Sequence, residues 1–498
     1  MSVHELGGIL LFSSAVLLVA IGAVRLSVWL GLPSLLVYLA LGVAIGESGL
    51  GVGFEDPALT GVLGYLALIL ILAEGGLTTR WETIRPTVAP AAVLSTVGTL
   101  VSIAVTAGAA HWLFGLAWQQ ALLIGAVVSS TDAAAVFSVL RTVPLPDRLV
   151  GLLEAESGFN DAPVVIAVVA LTSRALGDSS MPWWMLALTA VAELAIGVLV
   201  GFSVGRLGVQ GLRRVALPAS GLYPIAVLGL VAFTYGAATT LHGSGFLAVY
   251  VAALVLGHAR LPHGAAVRGF AQGMGWIAQI GLFVLLGLLS SPSRLPAQLV
   301  PAVGIGLVLL LLARPLSVLA SVSWFRISLR EQAFLSWAGL RGAVPVVLAT
   351  VPWSRRLPGS EQLFDLVFVL VVVFTLVQGP ALPWVARRLG LAAGLSATDL
   401  DVESSPLGAL DADVIQVRIG PASRLHGVEV FELRLPARAN VTLISRGGEQ
   451  FVPGPSTVLR HGDDLIVVAA AAVRSRAERR LEEVSRGGKL AGWFHPTR

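Results

Sequence analysis

Long apolar runs separated by short polar loops occupy the chain as far as Arg388, after which the pattern changes. A window of about 19 residues, the length that crosses a hydrocarbon core, predicts helices near 6–30, 33–50, 59–78, 88–114, 118–141, 148–172, 182–205, 219–239, 244–259, 270–290, 297–322, 331–352 and 362–386. The first has a polar N-terminus without positive charge (Ser2, His4, Glu5) and no small-residue cleavage site, so it reads as a retained helix rather than a signal peptide. Arg25, near its end, can snorkel to water. Residues 391–411 are rich in Gly, Ser, Asp and Glu and predict a linker. From 412 to 487 the period shortens. Val414–Ile419 alternates apolar and polar residues, and Val441–Ile444 and Leu465–Val468 are β-branched runs. Turn signals stand at Arg446-Gly447-Gly448 and His461-Gly462-Asp463, and 470–486 returns to a helix with a charged, solvated face. The pattern therefore predicts an all-α polytopic membrane protein of about 13 transmembrane helices over 1–390, followed by a linker and a small C-terminal α+β cytoplasmic domain. No glycine-rich dinucleotide fingerprint follows a strand in that domain.

Composition agrees with the membrane reading: 56% of the 498 residues are hydrophobic and 12% charged. The absence of cysteine excludes disulfides, thiolate metal sites and thiol catalysis. A pI near 9.9 does not imply nucleic acid, because the arginines are scattered among short loops rather than gathered on one soluble face. Their distribution instead gives an orientation. Arg80, Arg85, Arg141, Arg148, Arg206, Arg213, Arg214, Arg260, Arg268, Arg326, Arg330, Arg387 and Arg388 fall on one side. Arg174, Arg294, Arg355 and Arg356 fall on the other. The richer side is expected to be cytoplasmic, with the N-terminus outside and the C-terminal domain inside a cell (inner) membrane. A cysteine introduced at Ser293 is then expected to react with an impermeant reagent in intact cells, and one at Val267 to be protected.

Two polar stretches interrupt the apolar pattern: Ser129-Ser130-Thr131-Asp132 on the fifth span, and Glu154 to Asp161 on the sixth. Carboxylates at bilayer depth are costly and mark ion or proton pathways. Four successive short polar side chains compete with helix hydrogen bonds, so a break is expected at 129–132. Freed carbonyls beside a carboxylate suit a dehydrated alkali cation. The alternative is simple back-bonding of Ser and Thr to the preceding turn, which leaves Asp132 unexplained.

On the sixth span Glu156 and Asp161 lie about 140° apart around the helix, on different faces. Asn160-Asp161-Ala162-Pro163 also suits a helix cap with proline in the first turn. A cap needs no full charge at that depth, and Asp161 is the foremost candidate ligand for a transported ion. Burial penalises an empty carboxylate, so proton and cation compete for its oxygens. On the twelfth span Gly339-Leu340-Arg341-Gly342-Ala343-Val344-Pro345 predicts a second interruption, with Arg341 in need of an acidic partner, Glu156 or Glu154. Interruptions seven spans apart fit two inverted six-helix repeats around a central seventh helix, with the site at their interface.

At these positions the chain resembles a known family. Ser130-Thr131-Asp132, Glu156-Ser157-Gly158-Phe159-Asn160-Asp161, Gly339-Leu340-Arg341-Gly342-Ala343 and Thr375-Leu376-Val377-Gln378-Gly379 are similar to the motif series of the NhaP-like sodium/proton exchanger branch of monovalent cation/proton antiporters. The resemblance covers about 10–390. It implies that Asp161 carries both ion and proton, that Thr131, Asp132, Glu156 and Ser157 help coordinate the cation, that Asn160 supports the site, and that Arg341 forms a structural ion pair with Glu156. It also implies a homodimer, an elevator-like movement of a core against a dimer domain, and electroneutral exchange, since Asn160 stands where another branch has a second Asp. Gly158 departs from the pattern, where many relatives carry a bulkier residue.

Residues 412–470, with Gly427-Val428-Glu429, Arg446-Gly447-Gly448-Glu449 and Leu459-Arg460-His461-Gly462-Asp463, resemble the C-terminal lobe of potassium-conductance regulatory domains. That combination resembles potassium/proton antiporters of the cell-volume-regulation type, with protons and potassium, or sodium, as substrates and a small-molecule regulator at the lobe. No cofactor, catalytic residue or resident metal is expected. Among the remaining charges, Glu74 is expected to snorkel, Glu193 has no evident partner, and Arg314 before Pro315 is expected to satisfy carbonyls freed by a kink. His111, His242 and His258 fall near span ends and read as interfacial. A channel lacks its repeated carbonyl filter loop here, and a membrane hydrolase lacks a nucleophile or Glu-x-x-His motif.

Overall fold

The computed structural model describes residues 3–30, 32–47, 49–51, 53, 56–132, 135–136, 145–215, 217–259, 261–391, 400–407, 412–420, 423–470 and 472–491. Arg141, Arg260 and residues 133–134 and 137–141 of the predicted fifth span lie outside them. Near Ala393 the chain divides into two compact units.

The first unit is helical. Its passes are α1 (Val3–Leu30), α2 (Ser34–Ile45), α3 (Pro57–Thr78), α4 (Trp81–Phe114), α5 (Trp118–Val127), α6 (Asp147–Ala175), α7 (Trp183–Arg214), α8 (Leu222–Thr240), α9 (Gly245–His258), α10 (Gly264–Leu289) and α11 (Leu295–Phe325). A twelfth pass is split into α12 (Leu329–Trp337) and α13 (Ala343–Ser354), and α14 (Ser360–Arg388) closes the unit. Eight of these helices are long and apolar enough to cross a membrane by length and composition.

Helix ends follow local chemistry. The Asp56 carboxylate accepts the Ala58 and Leu59 N–H groups at 3.0 and 2.9 Å, with Pro57 in the first turn. Ser328 and Glu331 form a reciprocal capping box at the start of α12.

Glycines set how closely the passes approach. A Cβ on Gly42 of α2 would overlap the backbone of α10 at Val284 and Gly287, and one on Gly201 of α7 the backbone of α9 at Ala248. Small residues of this kind let helices pack backbone to backbone where lipid gives no hydrophobic drive. The same device recurs where α13 crosses α3: Gly64 lies under Val347, and Gly61 faces Thr350.

Interruptions come in pairs. α4 contains a π-helical turn at Leu94–Gly98 and α11 one at Leu309–Ala313, while the fifth and twelfth passes break outright. Each pair is seven passes apart, the spacing expected of a duplicated six-helix unit with one pass between copies. The first π turn packs on the helical segment that follows the second, with Gly98 facing Ser317 and Ser321.

The second unit is an antiparallel sheet of order β1-β2-β5-β3-β4. Its strands are β1 (Leu400–Leu407), β2 (Ala412–Ile419), β3 (Ala439–Arg446), β4 (Glu449–Phe451) and β5 (Asp464–Ala470), with α15 (Arg474–Gly487) beside them. Ile415, Val417, Val441, Ile444, Leu465 and Val467 bury their side chains against Leu481 and Val484 of α15. The glycines at the predicted turns adopt positive φ, 58° at Gly447, 90° at Gly448 and 83° at Gly462. One expectation is corrected: 391–411 is not linker throughout, because 400–407 pairs with β2 along its full length. An edge strand bonds through its backbone on one side only and can form without the apolar alternation that betrays a central strand.

Candidate cation site

α5 ends at Val127, and from Ser129 to Asp132 the backbone is no longer helical. Ser129 Oγ donates to the Ala126 carbonyl at 2.8 Å, so one hydroxyl does back-bond as the simpler reading of this stretch supposed. The next three residues turn to other elements. The Asp132 backbone N–H donates to the Leu340 carbonyl at 2.8 Å, which ties the break in the fifth pass to the break in the twelfth. A side chain at Gly342 would run into the Asp132 carboxylate, so the crossing requires glycine there. Asp132 Oδ1 also accepts the Ala135 N–H at 3.2 Å, capping the chain that resumes beyond. Asp132 is thus first of all a hinge pin of the crossing.

α6 runs past this crossing. Asp161, 6% exposed, accepts a hydrogen bond from Ser130 Oγ at 2.7 Å through Oδ1. Asn160 Nδ2 donates to Thr131 Oγ1 at 2.6 Å, and Thr131 Oγ1 donates to Glu156 Oε1 at 3.3 Å. Ser157 Oγ donates to the Thr131 carbonyl at 3.1 Å. The structure therefore brings Ser130, Thr131, Asp132, Glu156, Ser157, Asn160 and Asp161 into one buried cluster. Asn160 Oδ1 is buried there with no hydrogen-bond partner, an orphaned acceptor beside a carboxylate. Such an oxygen set suits a partly dehydrated monovalent cation or, on the carboxylate alone, a proton.

The predicted ion pair is corrected. Glu156 is held by Arg314 in a two-pronged pair, Nη1 to Oε1 at 2.5 Å and Nη2 to Oε2 at 2.8 Å, with both side chains buried. Arg341 instead donates Nε to the Val128 carbonyl at 3.2 Å and Nη1 to the Gly339 carbonyl, filling carbonyls that the two breaks set free. The roles expected of the two arginines are interchanged. The reason is helical phase: Glu156 lies on the edge of the crossing that turns toward α11, within reach of Thr131 and of Arg314, which follows the π turn. Arg314 keeps a trace of its expected task, since its Nε donates to the Leu335 carbonyl at 3.3 Å.

Other polar residues complete the frame. Ser95, inside the π turn of α4, donates to the Glu156 carbonyl at 3.1 Å. Thr375 Oγ1 donates to the Arg341 carbonyl at 3.2 Å and Gln378 Nε2 to the Trp337 carbonyl at 3.1 Å, so the last motif braces the break in the twelfth pass. Ser95 carries no distinctive sequence signal, being one of several hydroxyl residues (Ser95, Thr96, Thr99, Ser102) in an apolar run.

The remaining charges lie elsewhere. The Glu74 side chain packs on Gly275 of α10 and lines a small apolar cavity between α3, α8 and α10. Glu193 is half-buried on α7 with His242 in its neighbourhood. His111 Nδ1 donates to the Leu116 carbonyl at 2.7 Å and stacks on Trp118, and His258 lies 3.6 Å from the exposed Glu82.

Comparison with known proteins gives a consistent result. Residues 14–388 match the family described as sodium/hydrogen exchanger, transmembrane, and 414–482 match the TrkA-C domain. The chain is 36% identical over 463 residues to a protein named K(+)/H(+) antiporter NhaP of Alkalimonas amylolytica, covering 91% of this chain and 80% of that one. It is 36% identical over 445 residues to K(+)/H(+) antiporter NhaP2 of Shewanella baltica, 88% and 77% covered. It is 31% identical over 385 residues to Na(+)/H(+) antiporter NhaS2 of Synechocystis, 75% and 69% covered. Among solved structures, the sodium proton antiporter MjNhaP1 of Methanocaldococcus jannaschii superposes with a TM-score of 0.68 at 22% identity, covering 78% of this chain and all of that one.

Proposed function

The chain belongs to the sodium/hydrogen exchanger family, and from that premise we propose that it exchanges potassium, with sodium as the runner-up, for protons at Asp161. The observation that carries the reading is the pairing of a buried, uncompensated carboxylate with an orphaned amide oxygen, at the crossing of two broken passes. Glu156 is neutralised by Arg314 and so does not compete for the cargo charge. Asp161 then carries either one proton or one monovalent cation, and each loaded form bears the same charge. Exchange on this scheme is electroneutral. Alternating access follows if the passes around the crossing move against α3 and α9, as a homodimer whose other passes stay fixed. The weight given to potassium rests on the relatives named for it, which match across the soluble lobe as well. The lobe is a platform for a small-molecule regulator or for dimerisation.

In proteoliposomes with a trapped pH dye, external potassium is expected to alkalinise the lumen at a rate indifferent to imposed voltage, and Asp161→Asn to abolish the response. Uptake that tracks voltage without proton movement would identify a channel and overturn the proposal.

We also propose that the arginine-rich side is cytoplasmic, in a cell (inner) membrane. Val267 is buried, so a cysteine there would be silent on either side. Ser220, exposed in the α7–α8 loop, is the better internal probe against exposed Ser293. Labelling of Ser220→Cys but not Ser293→Cys in intact cells would reverse the topology.

A further inference from the structure

α6 carries a second acid on the face that holds Asp161. At about 100° per residue, Glu154 lies within about 20° of Asp161 and roughly 10 Å along the axis, whereas Glu156 points about 140° from Asp161 and about 160° from Glu154, toward Arg314. Gly158 lies between the two acids on the same face. Over it rests the ring of Tyr250 of α9, so close that any side chain at Gly158 would collide with it. Phe159 meets the same ring edge-on, with centroids 5.7 Å apart.

The Tyr250 hydroxyl is buried, the residue being 2% exposed, and no group stands in good hydrogen-bond geometry to it; the Thr79 hydroxyl is its polar neighbour. The polar groups that face it are Glu154 and Thr79, and the charge that faces Glu154 is Arg80, just beyond α3. A buried hydroxyl without a partner is costly unless something fills its place. Hydroxyl, carboxylate and threonine oxygen together make the oxygen set that a partly hydrated monovalent cation accepts.

We propose that Glu154, with the Tyr250 hydroxyl, forms a second cation stop on the route between Asp161 and the Arg80 end of the molecule, and that the Tyr250 ring over Gly158 separates the two stops. This rests on the exchange reading above, since the occupant is the transported cation itself. Arriving cations exchange part of their water for Glu154 and Tyr250, then pass the ring to reach Asp161. Glycine is required at 158 because the ring takes the space of a side chain.

The test uses the full chain in membrane vesicles of both orientations, from cells without other cation/proton exchange, with a trapped pH dye and potassium as the probe. With the Arg80 end facing the added potassium, Glu154→Gln is expected to raise the half-saturating concentration about tenfold, the signature of lost binding with an unchanged saturating rate. In the opposite orientation it is expected to leave that concentration unchanged. Tyr250→Phe is expected to shift it in the same orientation by a smaller factor, and Glu154→Asp to restore it in part. Equal shifts in both orientations, or none in either, would overturn the second stop. Should Glu154→Gln fail to fold, Tyr250→Phe and Glu154→Asp carry the same orientation test. Asp161→Asn in parallel separates the two claims. Exchange surviving that change sinks the exchange reading itself, whereas its loss beside an unaltered Glu154→Gln sinks only the second stop.

Discussion

Replacing Arg314 by methionine isolates a buried, two-pronged ion pair in the membrane unit. The side chains of Arg314 and Glu156 are 5% and 2% exposed and meet through two parallel bonds of 2.5 and 2.8 Å. At an effective dielectric constant of about 20, two unit charges about 4 Å apart attract by roughly 4 kcal/mol. Breaking such a pair from one side strands the other charge, at a cost of about 3–5 kcal/mol. Arg314→Met should therefore destabilise the unit by about that amount. The double variant Arg314→Met/Glu156→Leu should recover most of it, because an apolar pair of similar volume is often neutral or better.

Arg341→Met is the control. It removes donors to the Val128 and Gly339 carbonyls, a loss of about 1–3 kcal/mol for stranded acceptors, and relieves the burial of its own charge. The assay is the apparent thermal transition in detergent, followed by fluorescence-detected size exclusion, with the four corners of the Arg314/Glu156 cycle compared under one protocol. The expected order is Arg314→Met far below Arg341→Met, with rescue by Glu156→Leu confined to Arg314→Met. If Glu156→Leu rescues Arg341→Met instead, the assignment of partners is wrong.

Three further outcomes are expected. Gly342→Ala forces a methyl into the Asp132 carboxylate, so it should lower the thermal transition by about 1–3 kcal/mol of overpacking and abolish the dye response, whereas Gly211→Ala, with open space around it, should do neither. Asp463 is fully buried and accepts from Arg446 Nε and Nη2, both at 2.7 Å, and from the Arg460 N–H at 2.8 Å. Asp463→Asn should cost about 1.5–3 kcal/mol, the range for bonds to a charged group, and speed hydrogen exchange across 464–470 in the full chain; unchanged protection would refute it. The Glu432 carboxyl is held below its ordinary value by the Glu429 N–H and by Lys489. Its contribution should be complete above pH 4.5 and fade as the pH falls below it, read as growing exchange at Gly488–Leu490 in the wild type but not in Glu432→Gln.

The passes were legible because an apolar run of twenty residues has one reading in lipid, and the lobe because its central strands alternate or are β-branched. The crossing was legible for a different reason. Four short polar residues on one pass and a glycine-flanked arginine on another are each a local misfit, and a misfit in an apolar run is visible without knowing its neighbour. Partnership was not. Arg314 stands before Pro315, which supplies a self-sufficient local explanation, while Arg341 stands among the motifs and so attracts the nearest acids in the argument. Which guanidinium meets Glu156 depends on the phase of α6 and on the π turn of α11, and a π turn in a run of leucines leaves no trace in composition. β1 escaped notice for the complementary reason that an edge strand is specified by what its partner offers.

Helical phase also explains why one helix can carry three acids through an apolar bundle. On one face Glu156 meets Arg314, and that charge is spent on structure, fixing α6 against α11 whatever the site holds. On the opposite face Asp161 accepts from Ser130 alone among the described residues, which on the proposed reading leaves its second oxygen for cargo. A carboxylate fully satisfied by protein donors would hold neither ion nor proton, and one without any fixed contact would have no defined position from which to exchange them. The separation of roles therefore requires the odd spacing of five between Glu156 and Asp161. Moving either acid by two residues would turn the structural charge toward the cargo or the cargo carboxylate toward Arg314, and in either case the exchange of one guest for the other would lose its driving instability.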